Sequence, residues 1–203
     1  SNLSLVNPTI SSVYNCVSNV NFSNTIDLEM QEYAWSDFEK TLPPTGNMEL
    51  EKKNWKFLQG QRYYKENTFD VTIKTSGFYS NKQILNTACD IISNKLNKIY
   101  LKNGIEIKKT TKSNIPNAYD IVLHNNSYTI GNILKRSMYT LYYGKTVNYV
   151  GFMVEHPHDT YSVLRVGFNE LVDDSTVDKT LMDTCTHAID VIKRTQELFE
   201  SSL

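Results

Sequence analysis

With 203 residues, of which 40% are hydrophobic and 11% aromatic, the chain can form one large domain or two small ones and has enough apolar side chain to fill a core. Its 21 basic and 22 acidic residues leave a formal net charge of -1, so no global field exists to hold nucleic acid by counterion release, and direct duplex binding is disfavoured. Cys16, Cys89 and Cys185 are odd in number, far apart and without C-x-x-C spacing, which argues against a disulfide scaffold or structural zinc and reads as buried thiols in a reducing compartment.

No apolar run approaches the ~20 residues of a membrane span, and the polar start lacks the basic and apolar regions of a signal peptide, so a cytosolic or nuclear protein is expected. Ser1 opens onto Leu3, Leu5 and Val6 without an initiator Met, and the strand-like segment 10–17 has no hairpin partner nearby. A fragment of something longer is the expectation. Residues 23–66 read as irregular, with Pro43, Pro44, Gly46 and Asn47 punctuating a loop and short helices possible over 27–39 and 48–59. Phe69, Val71, Ile73 and Thr75 then alternate with Asp70, Thr72 and Lys74, the period of a strand with one buried face.

Ser80 is a candidate N-cap for a long helix whose stripe is Ile84, Ala88, Ile91, Leu96 and Ile99, with Lys95, Lys98 and Lys102 toward its C-terminal dipole end and Asn103-Gly104 as its stop. Ile105 and Ile107 begin a short strand, and Tyr119, Ile121 and Leu123 mark another. Ser127 or Thr129 caps a helix carrying Ile130, Leu134, Met138 and Leu141, ended by Gly144. Strands are predicted over 147–154 and 161–168, joined by a turn at His156, Pro157, His158 and Asp159. A final helix starts at Ser175, where Ser175 and Asp178 have capping-box spacing, and its stripe is Val177, Leu181, Cys185, Ala188, Ile192 and Phe199. The predicted fold class is α+β, a small mixed or antiparallel sheet with amphipathic helices on one face, preceded by a partial related unit.

Candidate chemistry is sparse. His156 and His158 are close enough to share a metal, but spacing places no third ligand and catalytic zinc needs three. There is no G-x-S-x-G elbow, P-loop, G-x-G-x-x-G or D-x-D run, and Asp173-Asp174 suits the N-terminal dipole of the last helix. No catalytic residue, metal or cofactor is therefore assigned. Gly131, in the first turn of a helix, costs up to about 1 kcal/mol relative to Ala, so either something approaches the backbone there or the glycine is merely tolerated near the helix start. Asn132 beside it is placed to hydrogen-bond a loop or a partner strand. The stripe from Val177 to Phe199 exceeds what a small sheet covers, and its surplus is expected to pack on helix 80–102.

Asn117-Ala118, the run Thr129-Ile130-Gly131-Asn132-Ile133-Leu134, Gly151-Phe152, His156-Pro157 and Leu164-Arg165-Val166 together resemble the small dimerising subunit of multisubunit RNA polymerases, the eleventh subunit of eukaryotic RNA polymerase II and archaeal L. The resemblance covers residues 105–203. It departs at Asn125-Asn126-Ser127-Tyr128, where the family has an acidic, His-containing stretch. The preceding Phe69-Asp70-Val71-Thr72-Ile73-Lys74-Thr75-Ser76-Gly77 and its helix are similar to the end of the third subunit, or archaeal D, with Lys74 where that family commonly has Glu. Both in one chain resemble the fused, bacterial alpha-like polymerase component of large cytoplasmic DNA viruses such as African swine fever virus.

The resemblance implies three regions: 1–66, an irregular remnant of the third-subunit-like inserted region; 67–103, the end of its dimerisation unit; and 104–203, the eleventh-subunit-like domain. It implies a non-catalytic assembly subunit in which two related halves pair through helices. The residues assigned to that pairing are Ile84, Ala88, Ile91 and Ile99; Ile130, Gly131, Asn132, Leu134, Met138 and Leu141; and Leu181, Ala188, Ile192 and Phe199. Gly151, Phe152, His156 and Pro157 are assigned to a surface loop. Implied partners are the two largest polymerase subunits and a small tenth-subunit-like subunit, with no sequence-specific DNA contact and no membrane. The host cytoplasm and viral factory are the implied location, with the virion as a further one. Two other readings are a free-standing α+β protein- or nucleic-acid-interaction module and, third, an enzyme with its site in the loop 155–159.

Overall fold

The computed structural model describes residues 15–43, 47–110, 113–126, 128–156 and 158–202, and among them it is an α+β chain of five α-helices and two antiparallel sheets. By packing, the chain divides into two units, residues 1–81 and 82–203. The regions read from sequence, with limits at 66/67 and 103/104, follow resemblance; the packing limit lies between them because the long helix is folded with the sheet that follows it.

In the first unit β1 (Val17–Ile26) and β2 (Tyr64–Thr75) form an antiparallel ribbon in which Phe22 pairs with Val71 and Asn24 with Phe69. Of the strand-like segment 10–17, residues 10–14 lie outside the described residues; the strand begins only at Val17 and crosses the polar Asn/Ser stretch that follows. Its cause is non-local: β2 supplies a ladder from far along the chain, with Ile26 opposite Tyr64 and Val17 opposite Thr75, which satisfies backbone groups whatever the side chains prefer. Between the strands, α1 (Leu28–Glu39) is capped by Asp27, which accepts from the Met30 N–H at 3.1 Å, and α2 (Met48–Phe57) by Asn47, which accepts from Leu50 at 3.3 Å. These helices match the segments 27–39 and 48–59, but residues 23–66 as a whole are far from irregular. Trp35 and Trp55 are buried edge-to-face at 5.5 Å, Tyr63 stacks on Trp55 at 5.8 Å, and Gln31 donates to the Gly60 carbonyl at 3.1 Å. An aromatic cluster thus replaces the aliphatic stripe that makes a core easy to see in sequence.

In the second unit α3 (Asn81–Tyr100) is followed by β3 (Ile105–Lys109), β4 (Ala118–His124), α4 (Tyr128–Tyr142), β5 (Val147–Met153), β6 (Tyr161–Phe168) and α5 (Asp174–Ser202). The strands form one antiparallel sheet in the order β3-β4-β6-β5, with Ile107 opposite Ile121, Ile121 opposite Leu164 and Leu164 opposite Phe152. These alternate residues meet Ile130, Leu134 and Met138 of α4, Val177, Leu181 and Cys185 of α5, and Leu96 and Ile99 of α3 in one core. Cys185 is buried as expected; Cys16 and Cys89 are only half-buried, and all three are free.

Local chemistry explains the ends. Lys102 and Gly104 take positive φ of 60° and 74°, closing α3 where Asn103-Gly104 is read as a stop. The proposed cap Ser127 lies outside the described residues. The capping box at Ser175 and Asp178 does not form: Asp173 caps α5, accepting from the Thr176 N–H at 3.1 Å and the Ser175 hydroxyl at 2.7 Å, while Asp178 pairs with Lys102. A carboxylate one residue before the helix reaches its free N–H groups better than a serine already inside it.

On the opposite face of the sheet from the core, Asp120 and Arg165 are cross-strand partners joined by two hydrogen bonds of 2.6 and 2.8 Å, and both are largely shielded. Burial pushes the Asp120 carboxyl up, but the Arg165 guanidinium outweighs it and holds the group below the usual carboxylate range. A depressed folded-state pKa contributes stability above the unfolded value of about 3.9 that is lost as pH falls through the folded value. Asp120→Asn is therefore expected to lower stability by about 1–3 kcal/mol at pH 7 and to flatten the acid limb of stability below about pH 5, as read by denaturant melts over a pH series.

Candidate assembly interface

Two of the segments singled out in the sequence meet each other. Phe152 projects from β5 onto the first turn of α4, where a Cβ on Gly131 would overlap its ring, so close approach and not tolerance accounts for that glycine. Tyr128 packs edge-to-face on the same ring at 5.9 Å. Because strand residues alternate, Gly151 faces the other side of the sheet, where the Tyr149 ring lies over it, while Gly167 is closed over by Asn148 and Ile115. Asn117 adopts a left-handed φ of 50°, a conformation asparagine tolerates better than most residues, and its side-chain amide donates to the Phe168 carbonyl at 3.4 Å. Gly151 and Phe152 therefore belong to a strand and not to a surface loop: Phe152 is half-buried against the core, which a loop residue aimed at solvent could not be.

The long helices touch. The Lys82 ammonium donates to the Glu200 carbonyl at 2.9 Å, the Asn86 amide to the Glu200 carboxylate at 2.9 Å, and the Gln196 amide to Asp90 at 3.3 Å, while Lys102 pairs with Asp178 near the other end. These links run α3 antiparallel to α5. Exposed polar contacts contribute about 0–1 kcal/mol each, whereas burying Leu96 and Ile99 contributes ~1.5–3 kcal/mol apiece as an upper estimate, so apolar burial decides the pairing. Between α4 and α5 the Tyr142 hydroxyl donates to Asp183 at 2.8 Å, and burial followed by that carboxylate pushes its pKa up to about 12. Burial likewise pushes the Cys185 thiol up to about 12 and keeps it an inert core group.

The residues assigned to pairing divide by burial. Ile99, Ile130, Gly131, Leu134, Met138, Leu181 and Ala188 are buried inside the second unit, where they join α3, α4, α5 and the sheet. Ile84, Leu141 and Ile192 are half-buried; Ala88, Ile91, Asn132 and Phe199 are exposed. The surplus stripe of α5 is only partly used: its polar groups reach α3, but Val191, Leu198 and Phe199 remain 49%, 61% and 40% exposed. A groove of about 310 Å³ runs between α4 and α5 over Ile133, Ala188, Val191 and Ile192, and Asn132 and Arg136 continue it into a wider hollow with Lys135 and Tyr139. Lys135, Arg136 and the stacked Tyr139–Tyr143 pair, 4.2 Å between ring centres, were not singled out by sequence reading, because a polar helix face looks like an ordinary solvated one.

At the 155–159 turn the His156 N–H donates to Asp159 at 3.0 Å, and the His158 N–H donates to the His156 ring nitrogen Nδ1 at 3.3 Å. That hydrogen bond occupies a lone pair a metal would need. Pro157 lies outside the described residues. Among the described residues no group of three His, Cys, Asp or Glu is arranged to hold a metal, and no helix is long and apolar enough to cross a membrane.

Gly131→Ala gains up to about 1 kcal/mol of helix propensity but forces Phe152 off its seat, and overpacking of this kind costs about 1–3 kcal/mol. A net loss of stability is expected, recovered in part when Phe152→Leu is added; a double-mutant cycle by thermal melts measures the coupling. Compared with protein-family models and with curated proteins, the sequence matches none.

Proposed function

We propose that the chain is a non-catalytic assembly subunit of a viral DNA-directed RNA polymerase, a fused third/eleventh-subunit-like component that pairs two alpha-like halves into a platform for the two largest subunits. The observation that carries this reading is the burial of Leu96 and Ile99, from the helix read as the close of the first half, in the core of the unit that follows. A helix that completes a neighbouring fold is what pairing of two related halves through their helices requires. Support also comes from the antiparallel sheet with α4 and α5 on one face, and from the contact between Gly131 and Phe152, two residues on which the resemblance rests. The small tenth-subunit-like partner, the host-cytoplasmic site of action and presence in the virion belong to the same proposal.

The exposed part of the seam is the surface to test. Co-expression with the two largest subunits is expected to recover all three together, with recovery reduced at least tenfold by Ile91→Glu and Phe199→Glu, whose exposure lets them fold, and unchanged by His158→Ala. Recovery of the chain alone, with steeply salt-dependent binding to a short duplex, transfers the assignment to a nucleic-acid-binding module.

A further inference from the structure

α4 and α5 carry their charges unevenly around the groove between them. Its floor is apolar, with Ile133 of α4 beside Ala188, Val191 and Ile192 of α5, and Val191 is 49% exposed. Arg136 stands at the wall of this floor, and Lys135 beside it lines the adjoining hollow. α4 holds no acidic residue, so both of its charges are positive. On α5, Arg194 lies about 60° round the helix from Val191, whereas Asp190 and Glu197 lie about 100° or more from each of the three floor residues. The other carboxylates from Asp183 onward are engaged, Asp183 by the Tyr142 hydroxyl and Glu200 by the Asn86 amide. Among the described residues none of Lys135, Arg136 and Arg194 is paired with a carboxylate.

An apolar floor bounded by unpaired cations selects an occupant by two properties at once. Its apolar side must fill the floor and its charged side must be acidic, because a cation brought against Arg136 would lose water without gaining a counter-ion. The floor offers no backbone partners, since the N–H and C=O groups of α4 and α5 are used within the helices, so the occupant has to satisfy its own backbone. A helix does this and a lone strand does not. We infer that the α4–α5 groove seats an acidic amphipathic helix of a partner chain, with its carboxylates toward Lys135, Arg136 and Arg194. A second copy meeting the groove by two-fold symmetry would set this cationic rim against itself, which the charge pattern disfavours. The inference deepens the assembly reading by giving the chemistry of the partner's docking element, and it rests on that reading for the partner being a polymerase subunit.

Two synthetic helical peptides of about 20 residues, sharing one leucine stripe and differing only in carrying Glu or Lys at the flanking positions, test it on the whole chain. Fluorescence anisotropy gives the affinities, and methyl NMR of the isoleucines gives the place. The Glu peptide is expected to bind at least tenfold more tightly than the Lys peptide, to shift Ile133 and Ile192, and to weaken as salt rises. The double variant Lys135→Glu, Arg136→Glu, at two exposed positions, is expected to keep its melting temperature and to invert the preference in favour of the Lys peptide. Arg194→Glu, exposed on the other helix, is expected to reduce the preference in the same direction. No binding, equal binding of both peptides, shifts confined to other isoleucines, or a preference that survives these charge reversals overturns the assignment. Concentration-dependent dimerisation of the chain alone that the double variant abolishes also overturns it, by giving the groove to a second copy. Failure to co-purify with polymerase subunits leaves the peptide preference standing, and loss of the preference leaves co-purification standing, so the two proposals fail separately.

Discussion

Burial of the C-terminal half of α3 beneath the helices and sheet that follow is the interaction on which the second unit depends. Leu96 and Ile99 are 0% and 1% exposed, in one core with Ile121, Leu134, Leu164 and Leu181. An α4–α5 layer over a four-stranded sheet would otherwise expose that part of its apolar face. The polar contacts from Lys82, Asn86, Asp90 and Lys102 to α5 fix the antiparallel register of the pair without supplying most of its energy. Function, on the reading proposed, lives on the same link, since a helix supplied by one half and buried by the next is itself a join.

The contact of Gly131 with Phe152 has a different role. It brings the start of α4 against β5 at a distance only a glycine permits, and so sets how the helix layer lies on the sheet. Strand alternation then makes Gly151 and Phe152 answer to opposite faces: one accommodates the Tyr149 ring, the other fills the gap over Gly131. Two neighbouring residues thereby couple the buried face to the face that carries Asp120 and Arg165. In the 155–159 turn, by contrast, the hydrogen bonds of His156 with His158 and Asp159 are spent on local shape.

Legibility followed the range of the signals. The α+β class, both long helices and the strands around Tyr119, Ile121 and Leu123 were readable because their periods of 3.6 and 2 repeat over several turns or residue pairs. Gly131 was readable as a question, since its cost is local but its reason, Phe152, is 21 residues away. The first unit was least legible. Its core is four aromatic residues and Gln31 held by Gly60, and its first strand is polar, so neither period nor propensity announces them. Asp173 was recognised as a dipole complement but not as the cap, because an Asp-Asp-Ser run offers three side chains to one set of N–H groups and only geometry selects among them.

What the sequence by itself determined is which faces are apolar, where helices can start and stop, and that acidic and basic residues nearly balance. What only the tertiary structure decided is which of those faces are already covered. Ile99, Leu134 and Leu181 are consumed inside one unit, whereas Ile91, Val191, Leu198 and Phe199 stay open to solvent. Periodicity cannot tell these sets apart, because every apolar residue on a stripe carries the same transfer free energy and only the three-dimensional neighbours settle whether that energy has been used.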